Sequence, residues 1–314
     1  MIRSSLPAVQ EGFAGEGPAE GFNAGEVIID HVANSGLDHP LIHLPHVFGI
    51  DFSVTKHVLM LWLVALVVFA AVTWTVRRYL KQDRPIPSGF MNALEFMVVA
   101  IRDNIVEPNV GKKWVHTWSP LILTFFVFIL SANAIGMIPI FEVLGLANHW
   151  VLDSGEDGFV TRLLHGGTTA TANFNVTAGL ATVTFFAIIV AGTLAHGFVR
   201  HWQNLVPSGL AKPIYVLLIP IELMGMFVRP FALTMRLAAN MTGGHIAILA
   251  ILSFVFIFTE LFGTAAAGIG VGAAVSVPLA VAISALEIIV ILVQAYVFTL
   301  LTAVFIGMAI HAHH

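Results

Sequence analysis

Residues 214–258 read IYVLLIPIELMGMFVRPFALTMRLAANMTGGHIAILAILSFVFIF. The run is apolar almost throughout, and Arg236 falls near its middle, about 20 residues from either end. A stretch of this length and character is a membrane-spanning helix. An arginine stays charged at any pH a cell reaches. Holding one at the centre of a membrane helix costs roughly 2.5–3.5 kcal/mol on insertion scales. Snorkelling to a headgroup needs a helix end within reach, and Arg236 has none. Such a residue is read first as a functional one, used to handle ions or protons.

The rest of the chain agrees with a membrane setting. Of 314 residues 58% are hydrophobic and only 10% charged, against about 25% in a soluble domain. Net charge is -4, so nothing points to nucleic acid. There is no cysteine, which excludes a disulfide framework and thiol chemistry. The first 50 residues lack a long apolar run and carry Glu11, Glu16, Glu20, Glu26, Asp30 and Asp38. Neither a secretory signal nor an arginine-rich transit peptide is expected there. Residues 1–50 are read as an extension outside the membrane, with a short helix over 25–33, and residues 51–314 as the membrane domain.

Outward from the deciding stretch, the pattern predicts an all-α polytopic protein with about five membrane-crossing helices and one amphipathic helix. Spans are expected over 57–76, 120–141, 174–199, 214–258 and 275–310. Residues 88–106 place Met91, Leu94, Val98, Ile101 and Ile105 on one stripe. That suits an interfacial helix or one packed on other spans. Segment 142–157 is acidic, and a Gly/Ala-rich turn is expected over 263–272. The last two runs, about 214–310 together, are longer than a perpendicular crossing needs, so they must tilt strongly, bend or protrude.

Basic residues set the orientation. With the N-terminus outside, inside loops hold Arg77, Arg78, Lys81, Arg84, Arg102, Lys112, Lys113, Arg200 and Lys212. Outside segments hold only Arg3, Lys56 and Arg162. Five crossings then leave the C-terminus inside.

Polar residues recur within the apolar runs. Glu222, Arg229 and Arg236 are spaced so that all three share one helix face, drifting about 20° per step. Asn240 lies one turn beyond. Glu287 and Gln294 share a face of the last helix. A Glu222–Arg229 ion pair locking two helices is one reading, and the lining of a water path is the other. A turn centred near Gly268 sets Arg236 within about a turn and a half of Gln294, and His245 within about one turn of Glu287. A histidine and a glutamate at one depth suit proton transfer, or form a structural hydrogen-bonded pair. Asn133, with Gly136 and Pro139, extends a polar access route or caps and kinks its helix. His39, His43 and His46 lie beside prolines, and no metal site is expected there. Neither a phosphate loop nor a nucleophile motif is present.

The run Met235-Arg236-Leu237-Ala238-Ala239-Asn240-Met241, with Pro230 ahead of it, resembles the signature of subunit a of F-type ATP synthases, the membrane stator facing the rotating c-ring. Thr171-Ala172-Asn173-Phe174-Asn175-Val176-Thr177 resembles the family's Ala-Asp-x-Asn-Val-Thr segment. Gln294-Ala295-Tyr296-Val297-Phe298 resembles its last-helix motif. The resemblance covers roughly residues 50–310. It implies a non-catalytic subunit without cofactor that couples proton flow to rotor rotation through two offset aqueous half-channels, its last two helices forming an antiparallel hairpin against the c-ring. Arg236 matches the arginine opposite the c-ring carboxylate. Glu222, Asn240, His245, Glu287 and Gln294 match proton-pathway positions. Asn133, Asn173 and Asn175 fall on a possible access route. Some members carry Glu at the His245 position and His at the Glu287 position. Asn173 stands where the family has Asp, and Gly136 where some members have an acid. The implied partners are the c-ring, subunit b of the peripheral stalk, the other subunits of the Fo and F1 sectors and the lipid bilayer; the implied location is an energy-coupling membrane, and the lack of a transit-peptide pattern favours a bacterial inner membrane over an organelle's. The competing reading, a proton-coupled secondary transporter, expects internal repeats, and none is visible. An intramembrane metal enzyme expects a His-Glu-x-x-His helix, which is absent.

Overall fold

The computed structural model describes residues 23, 25, 28–29, 42, 53–81, 87–138, 169–203 and 212–311. Among them the chain is helical almost throughout, with one isolated antiparallel bridge between Ile42 and Val54. Gly25, Ile28 and Ile29, inside the short helix expected over 25–33, are helical. His39, His43, His46, Pro139 and the acidic segment 142–157 lie outside the described residues.

The main elements are α1 (Lys56–Leu80), α2 (Phe90–Ile101), a π turn (Arg102–Val106), α3 (Glu107–Val110), α4 (Val115–Met137), α5 (Phe174–His196), α6 (Phe198–Gln203), α7 (Lys212–Phe262) and α8 (Ala265–Ile310). Five helices are long and apolar enough to cross a membrane: α1, α4, α5, α7 and α8. At 1.5 Å per residue, the 51 residues of α7 reach about 76 Å, more than twice the hydrocarbon thickness. Large apolar side chains such as Trp62, Leu66, Phe69, Val216, Leu217 and Phe227 are exposed. Such surface suits lipid rather than water.

The described residues fall into two compact units. The first comprises Met1–Met60, Gly136–Ala170 and Met241–Ile289. In it the end of α7 and the start of α8 run antiparallel. Gly272 meets Val255 and Phe254, and Gly244 meets Glu287. The turn between these helices is Gly263, at φ 62°, and Thr264. It is much shorter than the turn expected over 263–272. Ala265, Ala266 and Ala267 are strong helix formers, and glycine is common in membrane helices, so one left-handed glycine suffices to reverse the chain. Lys56, expected among the outer charges, is 1% exposed at the start of α1.

The second unit comprises Leu61–Ile135, Thr171–Asn240 and Val290–His314. The amphipathic segment forms as expected, but its end joins the core: Ile101, Ile105, Val106 and Val110 are buried. Its regularity breaks in the π turn, where the Asn109 amide donates to the Ile105 carbonyl at 2.7 Å. Gly307 of α8 lies so close to the Asn109 carbonyl that a Cβ would collide with it. Phe125 meets Phe298 edge-on at 5.5 Å, and the Thr184 and Thr302 hydroxyls are 3.3 Å apart. α5 ends at His196, three residues earlier than the expected boundary at 199, with Gly197, φ 86°, as its C-cap. α6 then lays His201 against Gly192. Burial, and secondarily His196, holds the His201 imidazole below its usual range.

Pro220, Pro230 and Pro278 lie inside α7 and α8 without ending them. One turn beyond Pro230, the Thr234 hydroxyl donates back to the Pro230 carbonyl at 3.1 Å.

Candidate functional site

The polar residues of α7 do not behave alike. An Arg229 Nη2 donates to Glu222 Oε1 at 3.2 Å, and the Arg229 guanidinium lies 5.9 Å from the Phe305 ring centroid on α8. The ion pair therefore closes within one helix rather than locking two. Arg236, two turns further on, is exposed and makes neither a hydrogen bond nor an ion pair with any described residue. Leu237 and Ala238 beside it are buried, while Phe231, Met235, Ala239 and Asn240 are exposed. α7 thus turns a free cation outward from an apolar surface, with Asn240 one turn away on the same side. Gln294 of α8 is buried, at 8% exposure, and is not hydrogen-bonded to Arg236.

A second polar group includes His245, further along α7. The Thr169 hydroxyl is 2.7 Å from His245 Nε2. Glu287 of α8 is buried against Gly244: a Cβ there would lie 2.6 Å from its Oε1. That oxygen makes no hydrogen bond with any described residue. Thr169 itself is held in the space that Gly136 leaves, since a Cβ on Gly136 would collide with it. An imidazole, a hydroxyl and a carboxylate thus form one group at one depth. All three are able to carry a proton or a hydrogen bond.

The asparagines divide differently. Asn133 is fully buried, its side-chain oxygen accepts from the Thr171 hydroxyl, and its amide nitrogen has no partner. Asn173 is the N-cap of α5, its side chain accepting from the Asn175 backbone N–H at 2.8 Å. That bond gives Asn173 a structural use. Asn175 is exposed.

Sequence reasoning brings out His245 with Glu287 and the Glu222–Arg229 pair. It misses Thr169 and Thr171, the hydroxyls that bond His245 and Asn133. The signal was available in Thr168-Thr169-Ala170-Thr171, a hydroxyl-rich run just ahead of the Asn173 motif. It also misses why positions 136 and 244 are glycine: each leaves room for a polar side chain from another segment.

Among the described residues, no group of three or more His, Cys, Asp or Glu is arranged to hold a metal.

These features define a polytopic helical membrane protein whose two longest helices carry ionisable side chains far from their ends. Residues 58–307 match the ATP synthase A chain family. ATP synthase subunit a 2 of Chlorobium luteolum is 38% identical over 312 residues, covering 96% of this chain and 81% of its own length. ATP synthase subunit a of Myxococcus xanthus is 39% identical over 267 residues, covering 84% and 75%. ATP synthase subunit a of Chloroherpeton thalassium is 36% identical over 279 residues, covering 87% and 72%. The chain belongs to the ATP synthase subunit a family.

Proposed function

We propose that this chain is the proton-translocating stator of a bacterial F-type ATP synthase, with Arg236 facing the carboxylate of a rotating c-ring. One observation carries the reading: Arg236 is exposed in the middle of an apolar helix and has no partner among the described residues, whereas Arg229 is already paired. A lone cation on a lipid-facing surface is costly unless an anion comes to it. A carboxylate on the ring supplies that anion.

The chemistry follows from charge and solvation. A proton enters from the outer face past His245 and Glu287 and protonates a ring carboxylate. The neutral acid then tolerates lipid, because desolvation penalises only its ionised form. After nearly a full rotation it meets the inner half-channel near Glu222. Arg236 favours the ionised carboxylate there, so the proton leaves, and the same charge blocks a direct leak. Each elementary charge gains about 2.3 kcal/mol per 100 mV. That matches a pKa change of roughly 1–2 units, so no covalent step is needed. Asn133, Asn240 and Gln294 supply hydrogen-bonding stations, and Asn173 and Asn175 lie on the outer access route. The N-terminus lies outside and the C-terminus in the cytoplasm. The partners are the c-ring, subunit b and the remaining Fo and F1 subunits.

The absence of cysteine allows a clean test by cross-linking. Ala239→Cys, paired with a cysteine beside the ring carboxylate, is expected to form a disulfide that stops rotation and is released by reductant. Efficient labelling of that position by a lipid-soluble probe in the intact complex, with no disulfide to the ring, contradicts the proposed face.

A further inference from the structure

The last turns of α1 and the approach to α2 enclose a recess of about 280 Å³, lined by Trp74, Arg78, Tyr79, Ser88 and Met91 among others. Met91 also lines a larger open groove of about 670 Å³, so the two adjoin. The groove is walled by apolar side chains of three helices, including Phe69 and Val72 of α1, Leu94 and Val98 of α2 and Val127 of α4. Its size falls within the range of roughly 300–1,000 Å³ typical of ligand sites.

The recess differs in charge from the groove. Arg78 is the one charged residue lining the recess, with Arg77 beside it in the chain and the exposed Lys81 just beyond the end of α1. Arg78 is exposed, stacks 5.5 Å from the Trp74 ring centroid and has no carboxylate partner among the described residues. The first turn of α2 opens at Gly89 without a side-chain cap. Glu95, the one charged residue lining the groove, lies a turn beyond Met91 and disfavours a phosphate there.

We propose that the α1–α2–α4 groove and the Arg78–Ser88 recess together hold one anionic phospholipid, with its acyl chains against Phe69, Val72 and Leu94 and its phosphate at Arg78. The pairing of a long apolar slot with a basic mouth at one membrane face fits this molecule and fits neither a free anion nor a purely apolar ligand. Basic side chains at a membrane surface attract anionic headgroups in this way.

The test uses the assembly with which the chain purifies, placed in phosphatidylcholine nanodiscs containing a minor share of phosphatidylglycerol. Lipid retained per chain after detergent extraction is counted by native mass spectrometry. Phosphatidylglycerol is expected to be retained, to fall about fivefold in Arg78→Gln, and to persist in Arg78→Lys. Ala65→Phe, at an exposed groove position, is expected to displace it, and inorganic phosphate is expected not to compete. Equal retention in native and Arg78→Gln protein overturns the proposal, as does retention of phosphatidylcholine as strong as that of phosphatidylglycerol. Competition by inorganic phosphate overturns it in favour of a free-anion site. A photoreactive group at Leu94 that captures a partner subunit's helix rather than lipid overturns it as well.

Discussion

Arg229 and Arg236 share a helix face and a residue type, yet their surroundings separate them. Arg229 is bonded to Glu222 and lies near Phe305, with about a third of each charged side chain still exposed. Their ion pair closes within α7, so breaking it uncouples no two helices. Arg229→Gln is therefore expected to assemble normally and to keep much of its ATP-driven proton pumping. Loss of pumping as complete as that of an Arg236 variant contradicts the distinction. Gly244 is the residue-scale test of the other polar group. Gly244→Ala puts a methyl 2.6 Å from Glu287 Oε1 and 3.0 Å from its Cδ, so the carboxylate must move. Proton pumping is expected to fall by about tenfold or more with the complex intact, on the scale by which misplaced catalytic groups lose rate. Unchanged pumping would mean that the Glu287 position is not critical. Arg236, His245, Glu287 and the Glu222–Arg229 spacing are all legible in the sequence, because charges in an apolar run announce themselves. Thr169 and Gly136 are not, because an uncharged hydroxyl and a glycine gain meaning only from the residue that the fold brings against them.

At the scale of elements, the apolar runs fix which segments become helices, while packing fixes where they end. α7 appears in the sequence nearly to its limits, and α8 at its end, although it starts at Ala265 rather than near the expected 275. The loop between them does not, since its alanines are as well suited to a helix as to a turn, and only Gly263 decides the reversal. The π turn of Arg102–Val106 has no periodic signature either; it is the irregularity that precedes the close approach of Asn109 to Gly307. Gly307→Ala drives a methyl into a backbone carbonyl, which cannot swing aside as a side chain would. It is expected to lower stability by about 1–3 kcal/mol, measured as an earlier loss of the folded form on heating in detergent. A heating curve identical to that of the native protein speaks against this contact. α6 gives a pH prediction. His201 is buried and its folded pKa is lowered, so the unfolded chain binds a proton more readily. The resulting stability is present above the unfolded value of about 6.5 and is lost as pH falls through the folded value. His201→Phe is expected to flatten part of this acid-side loss of thermal stability, and an unaltered pH profile would contradict it.

For the whole molecule, length and hydropathy give five helices able to cross a membrane among the described residues, and the distribution of basic residues predicts their direction. With the N-terminus outside, Lys113 lies at the cytoplasmic face and the Gly263–Thr264 turn at the outer face. The chain has no cysteine, so Lys113→Cys and Thr264→Cys each introduce a unique label. An impermeant thiol reagent added to intact cells is expected to modify Thr264→Cys and not Lys113→Cys; the reverse pattern inverts the topology. Fold class and family were legible in composition and three short motifs, because a membrane leaves helices as the natural solution for apolar runs of this length. The assembly's arrangement was less so, since the partner proposed for the surface carrying Arg236 lies outside this chain. The most direct test of the central claim is proton pumping by the reconstituted complex, native against Arg236→Ala, with ATP hydrolysis followed in parallel. Abolished pumping with the complex intact is the predicted result; pumping at the native rate would show Arg236 to be structural and contradict the account.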